Sequence, residues 1–145
     1  MIIHTPVLGK VEVEPDNLFH FPDGLYGFEE ASEYALITKQ EDGAVLRWLQ
    51  IVGKPAPCFV VFDPYEIVTG YAPELEPGDL RFLGAKDRSE LIFFVIAVVP
   101  KDIAGITVNL KSPVAVSKKS RTAKQVILQN RDYPIKFPLF TGKEG

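Results

Sequence analysis

Apolar residues in this chain recur at every second position far more often than at every third or fourth, and that period commits the chain to strands. Val7, Gly9, Val11 and Val13 alternate with Lys10, Glu12 and Glu14, which predicts a half-buried strand after the Thr5-Pro6 break. Asn17 to Phe21 reads as a short aromatic strand running into the turn signal Pro22-Asp23-Gly24. Glu29 to Ser32 suits one helical turn. Tyr34 to Lys39 and Val45 to Ile51 form a hairpin across Glu41-Asp42-Gly43. After a break at Gly53 to Pro57, Phe59 to Phe62 is a buried strand closed by Asp63-Pro64. Ile67 to Tyr71 is expected to be extended and Asp79 to Leu83 a short helix. Leu91 to Val99 is uninterruptedly apolar, as in a strand covered on both faces. From Ile106 to Val116 the two parities differ, which predicts one long two-faced strand with Pro113 at an edge or bulge. Lys118 to Lys124 is a basic turn and Gln125 to Leu128 a further strand. Tyr133 to Phe140 holds too many prolines for a regular element, but its apolar residues should dock onto the body.

Many short strands separated by turns point to a barrel or sandwich. The expectation is a mostly β protein: a single compact β-barrel-like domain over residues 1–140 with one or two short helical turns, and a short polar tail at 141–145. A chain of 145 residues can bury a core without metal or disulfide staples. The lone Cys58 allows no intramolecular disulfide, which suits the cytoplasm. The start Met1-Ile2-Ile3-His4-Thr5-Pro6 lacks the basic and apolar regions of a signal peptide. The apolar run at 91–99 is far short of the roughly 20 residues that span a bilayer, so no membrane partner is expected.

A search for chemistry returns little. There is no CxxC or HxxxH pair, no GxSxG elbow and no phosphate-binding GxxxxGK signature. Gly24-Leu25-Tyr26-Gly27-Phe28 reads instead as a packed loop using positive φ. His20, Asp23 and Cys58 could serve a small-molecule-binding or hydrolytic β-barrel, against the plainer reading of a buried thiol and an ordinary strand histidine. The expectation is a binding protein, not an enzyme, with no cofactor and no metal.

The net charge of −3 conceals an asymmetry. Residues 1–100 carry 7 Lys+Arg and 16 Asp+Glu, a net of −9, whereas residues 101–145 carry 9 and 3, a net of +6. Either the signs mix over a solvated surface or an acidic face awaits a basic partner. Lys118 to Lys124 lacks the interleaved aromatic residues of a single-strand binder, and the acidic pI of about 5.4 opposes direct nucleic-acid binding.

Five segments in order resemble the FliW family of flagellar assembly factors. Phe21-Pro22-Asp23-Gly24-Leu25-Tyr26-Gly27-Phe28-Glu29 is similar to that family's glycine loop, Trp48-Leu49-Gln50 to its aromatic-Leu-Gln strand, and Phe59 to Pro64 to its next strand. Thr107-Val108-Asn109-Leu110-Lys111-Ser112-Pro113-Val114 resembles its most distinctive stretch. Gln125-Val126-Ile127-Leu128, followed by Tyr133 and Pro138-Leu139, completes the series. One departure stands out: Val116-Ser117 occupies the place of a usual hydrophobic-Asn pair, which removes any contact made by that amide.

The resemblance implies a bacterial cytoplasmic chaperone with two protein partners. One is newly made flagellin; the other is the RNA-binding regulator CsrA, whose repression of flagellin mRNA translation is relieved. The two partners compete. A monomer is expected. The apolar contact candidates are Leu25, Tyr26 and Phe28 in the glycine loop, and Ile135, Phe137 and Phe140 near the C-terminus. Thr107, Asn109, Lys111 and Pro113 are the candidates on the distinctive stretch, although the Asn109 amide has a second reading, satisfying a nearby loop's backbone.

Overall fold

The computed structural model describes residues 1–5, 9–53, 58–129 and 132–140. Val7, the break at 54–57 and the 141–145 tail lie outside the described residues. The strands are β1 (Ile2–Thr5), β2 (Gly9–Glu12), β3 (Leu18–His20), β4 (Glu33–Glu41), β5 (Ala44–Ile51), β6 (Cys58–Phe62), β7 (Leu91–Val98), β8 (Thr107–Val108), β9 (Val114–Ser117), β10 (Ala123–Gln125) and β11 (Phe137–Pro138). Two short helices, α1 (Pro64–Ile67) and α2 (Pro77–Leu83), complete the set with three single turns of 3₁₀ helix. The architecture is mostly β, as the two-residue period requires.

One sheet runs in the order β10-β9-β7-β6-β5-β4-β3, with β8 joining β7 and β11 joining β8. It curls so that its first and last strands meet, but it is not closed into a barrel. An isolated bridge between His20 and Thr122, with His20 N–H donating to the Arg121 carbonyl at 3.0 Å, is the link described across that seam. "Barrel-like" therefore holds only in a loose sense.

The curl sorts the side chains by parity. Phe19, Phe21, Leu25, Tyr34, Leu49, Val61, Phe94, Val114 and Val116 fill the interior. Leu91, Phe93 and Val95 point the opposite way from Phe94, into a second core with Tyr71, Leu83, Val108, Leu110 and Leu128. The unbroken apolar sequence of β7 thus reflects burial on both faces. A third, smaller cluster sets Ile3 and Val13 against Ala35 and Ile37.

Several expectations change. The strand pattern begun at Val7 has an unforeseen partner: β1 pairs antiparallel with β2, Ile3 opposite Val11. Four residues are too few to show a period, and it is burial of Ile3 that selects the strand. Glu29 and Glu30 form a turn and Ala31 and Ser32 are irregular, so the expected helical turn is absent, and Phe28 bridges back to Leu25. Ile67 closes α1 instead of opening an extended segment. Asp63 accepts from Tyr65 N–H at 2.9 Å and Pro64 takes the first helical position, a start signal stronger than the apolar residues that follow.

The predicted long strand over Ile106 to Val116 is broken. Val108 pairs with Ala97 and Val114 with Phe94, so a step of six positions on this side spans a step of three on β7. The surplus loops out at Asn109 to Pro113. The strand expected from Gln125 to Leu128 shifts to β10, while Val126 and Leu128 N–H groups bond to the Pro113 and Lys111 carbonyls, both at 2.9 Å. The proline-rich end does form a regular piece, β11, through Phe137 opposite Val108.

Candidate functional site

The site grows from the glycine loop. Phe21 and Leu25 plunge into the interior core, fully buried, and leave Tyr26 and Phe28 at the surface. Gly24 makes this turn possible: its φ is +67°, and a Cβ there would lie 2.4 Å from the Phe28 carbonyl oxygen. Phe28 leans edge-on against Phe59 of β6, with ring centroids 5.1 Å apart. The Glu29 carboxylate folds back to accept from Gly27 N–H at 3.0 Å. That bond holds its pKa below the ordinary carboxylate value.

A second wall comes from the looped-out segment. Asn109 Oδ1 accepts from Lys111 N–H at 3.1 Å and Ser112 N–H at 2.9 Å, an Asx turn that replaces strand pairing. Buried Gln125 ties the two walls together. Its Oε1 accepts from Tyr26 N–H, and its Nε2 donates to the Ser112 carbonyl, each at 3.1 Å. The β6–β7 register covers only Val61–Ile96 and Phe62–Val95, so the sheet parts where Phe59 faces Val98.

These features enclose a groove of about 260 Å³. Leu25, Tyr26, Phe59, Ile96, Val98, Asn109, Gln125, Ile135 and Lys136 line it. Among the candidates read from sequence, Leu25, Tyr26, Asn109 and Ile135 converge here, and Phe28 flanks them through Phe59. The rest do not line the groove. Thr107 sits in β8 between Val98 and Pro138, Pro113 is buried, and Phe137 packs into the second core. Lys111 Nζ reaches the Leu128 carbonyl at 3.3 Å. Phe140 remains exposed. Phe59, Ile96, Val98, Gln125 and Lys136 were not foreseen. Strand parity could have flagged Val98, which shares the interior face of Phe94 but lies past the core's end.

Beside the groove, Lys124 bonds Asp79 of α2 at 2.7 Å and lies 4.9 Å from the Phe82 ring centroid. The Asp79 bond raises the Lys124 pKa. Burial raises that of the Tyr26 hydroxyl, partly opposed by Lys124.

His20, Asp23 and Cys58 do not converge. None lines the groove, and the His20 ring bonds the Glu33 carboxylate. Cys58 on β6 is three strands from β3, roughly 14 Å at the usual strand spacing. Burial pushes its thiol pKa up, away from a reactive thiolate. Among the described residues no group of three His, Cys, Asp or Glu could hold a metal ion, and no helix is long and apolar enough to cross a membrane.

The two charged halves of the sequence partly interleave. Lys124 pairs with Asp79, and Lys118 Nζ reaches the Ser89 carbonyl at 2.8 Å. One acidic stretch remains in the sequence: Glu12, Glu14, Asp16, Asp23, Glu29, Glu30 and Glu33 are all exposed with no Lys or Arg between them, and of these Glu12 pairs with the N-terminal ammonium and Glu33 with the His20 ring.

Comparison with known proteins agrees with this architecture. The FliW protein family matches residues 2–139. The flagellar assembly factor FliW of Thermoanaerobacter pseudethanolicus is 34% identical over 139 residues, covering 96% of this chain and 93% of that protein. Its counterpart in Natranaerobius thermophilus is 36% identical over 141 residues, covering 97% and 93%. A crystal structure of the flagellar assembly factor FliW superposes with a TM-score of 0.85 at 29% identity, covering 99% of both chains. With a family match over nearly the whole chain, relatives above 30% identity and a solved structure of the same fold, the chain belongs to the FliW family of flagellar assembly factors.

Proposed function

We propose that this protein is a cytoplasmic binding protein, not an enzyme, that chaperones flagellin and antagonises CsrA, relieving repression of flagellin mRNA translation. The observation that carries the reading is the groove. It is apolar and open, and it is walled by two of the segments through which the sequence resembles its family. An amphipathic flagellin helix laid there covers Tyr26, Val98 and Ile135, which are 52%, 64% and 60% exposed. No cofactor, membrane or direct nucleic-acid contact enters this scheme, and the protein works as a monomer.

CsrA, a basic RNA-binding protein, is met by the exposed carboxylates between Glu12 and Glu33. Opposite charges speed encounter and weaken with salt. Glu29 and Glu30 follow directly on the loop that walls the groove, which gives the two partners a reason to compete.

Titration calorimetry with purified flagellin and with purified CsrA tests the scheme. Binding to each is expected at micromolar concentration or tighter, with CsrA affinity falling between low and physiological salt and flagellin releasing bound CsrA. Absence of both interactions would falsify the reading, and a flat salt response would remove the acidic-surface mechanism.

A further inference from the structure

The sheet parts at a definable place. Val61 pairs with Ile96 and Phe62 with Val95, and among the described residues the β6–β7 register goes no further. Both strands nevertheless continue. β6 stays paired with β5 back to Cys58 opposite Gln50, and β7 stays paired with β8 out to Val98 opposite Thr107. Each lip of the opening is therefore held from behind.

The directions of the main-chain groups follow from the ladders. Successive residues of an antiparallel strand turn their N–H and C=O groups alternately to one neighbour and the other. The Ile96 carbonyl accepts from Asn109 N–H at 3.1 Å, so Ile96 faces β8 and Ala97 faces β6. On the other lip, the β4–β5 hairpin closes at Glu41 and Ala44 around a two-residue loop. Alternation from Ala44 turns Trp48 and Gln50 toward β4, and Arg47 and Leu49 toward β6. Their partners Val61 and Phe59 face β5, which leaves Val60 facing β7. Val60 and Ala97 are thus the next pair that the β6–β7 ladder would make, and that pair is left unmade. Both residues are half-buried at the floor of the groove, beside Phe59, Ile96 and Val98.

A helix bonds its own main chain and can serve such groups only at its ends, whereas an extended chain can pair with them along its length. Resting on the reading of a helix-binding groove, we propose that the partner's chain continues past its helix as a short extended stretch that enters the opening and pairs with Val60 and Ala97. The helix covers Tyr26 and Ile135 at the rim. The extended stretch offers the N–H and C=O of one residue to each lip and sets an apolar side chain among Phe59, Ile96 and Val98. Because β6 and β7 run antiparallel, it lies parallel to one and antiparallel to the other.

Amide-resolved hydrogen exchange by NMR, on labelled protein with and without purified flagellin, reads the pairing directly. The Val60 and Ala97 amides are expected to exchange at least about tenfold more slowly in the complex. Ala97→Pro removes an N–H that the β7–β8 ladder does not use, so its thermal melting should stay close to wild type. It is expected to weaken flagellin binding by about five- to tenfold, the loss of one hydrogen bond, whereas Ala97→Ser keeps the N–H and should bind like wild type. If Ala97→Pro fails to fold, the exchange rates of the wild-type protein decide alone. Val60 and Ala97 amides that exchange equally fast in the free and bound protein, or a folded Ala97→Pro that binds like wild type, overturn the proposal and leave flagellin binding standing. A wild-type chain that does not bind flagellin overturns the underlying reading and the proposal with it.

Discussion

Asn109 shows how a single side chain can look like a contact and be a scaffold. Its Oδ1 closes the turn that ends β8 by accepting from Lys111 and Ser112 N–H, while the residue also lines the groove. The two roles can be separated by substitution. Asn109→Ala leaves two backbone N–H groups without their acceptor and is expected to cost about 1–2 kcal/mol in urea unfolding. Asn109→Asp keeps the acceptor and should unfold like wild type. If Asn109→Asp also binds flagellin unchanged, the residue is scaffold alone. Gln125 plays a related part with both ends engaged, and it is the reason the glycine loop and the looped-out segment stand at a defined separation.

At the scale of elements, α2 is too short to be stable by itself and depends on what it docks against. Leu83 enters the second core, and Asp79 is held by Lys124 from β10. Because bonding to Asp79 raises the Lys124 pKa, the pair's contribution is complete below the free lysine value of about 10.4. It is lost as pH rises through the higher folded value. Lys124→Met leaves Asp79, which is 8% exposed, without its cation and should cost about 1–2 kcal/mol at neutral pH. The gap between wild type and variant should begin to narrow above roughly pH 10.5, where the unfolded lysine loses its proton, and should close only above the higher folded value. Urea titrations of both proteins from pH 7 to 11 measure it, and a gap independent of pH would show that Lys124 acts by packing on Phe82.

The proposed flagellin groove and the proposed CsrA-binding carboxylates are made of different residues, so the two partners should respond to different changes. Ile135→Asp introduces a charge into the apolar lining and should weaken flagellin binding by about tenfold or more, with little effect on CsrA. Glu14→Lys combined with Asp16→Lys should weaken CsrA binding chiefly at low salt and spare flagellin. Calorimetry of each variant with each partner checks both arms. Parallel losses for both partners would mean a single shared footprint in place of adjoining ones.

Strand content, the Asp42-Gly43 hairpin turn and the double-sided burial of β7 could be read from the chain itself, because period-two patterning and turn chemistry are local properties. Asp42 and Gly43 both take positive φ, as a two-residue hairpin loop demands. The glycine loop was equally legible, since a φ of +67° beside the Phe28 carbonyl admits only glycine at position 24. The groove was not. Its lining comes from β6, β7, β10, the looped-out turn and the C-terminal segment, and nothing local brings Phe59, Val98, Gln125 and Lys136 together. Parity made 106–116 look continuous, yet β7 offers half as many partners there as the stretch requires, and only pairing across the sheet forces the excess out as the Asn109 turn. The residues specified strands and turns because those follow from neighbours in sequence. Tertiary pairing decided where the sheet parts and which side chains meet in the opening, because register and burial depend on partners far along the chain.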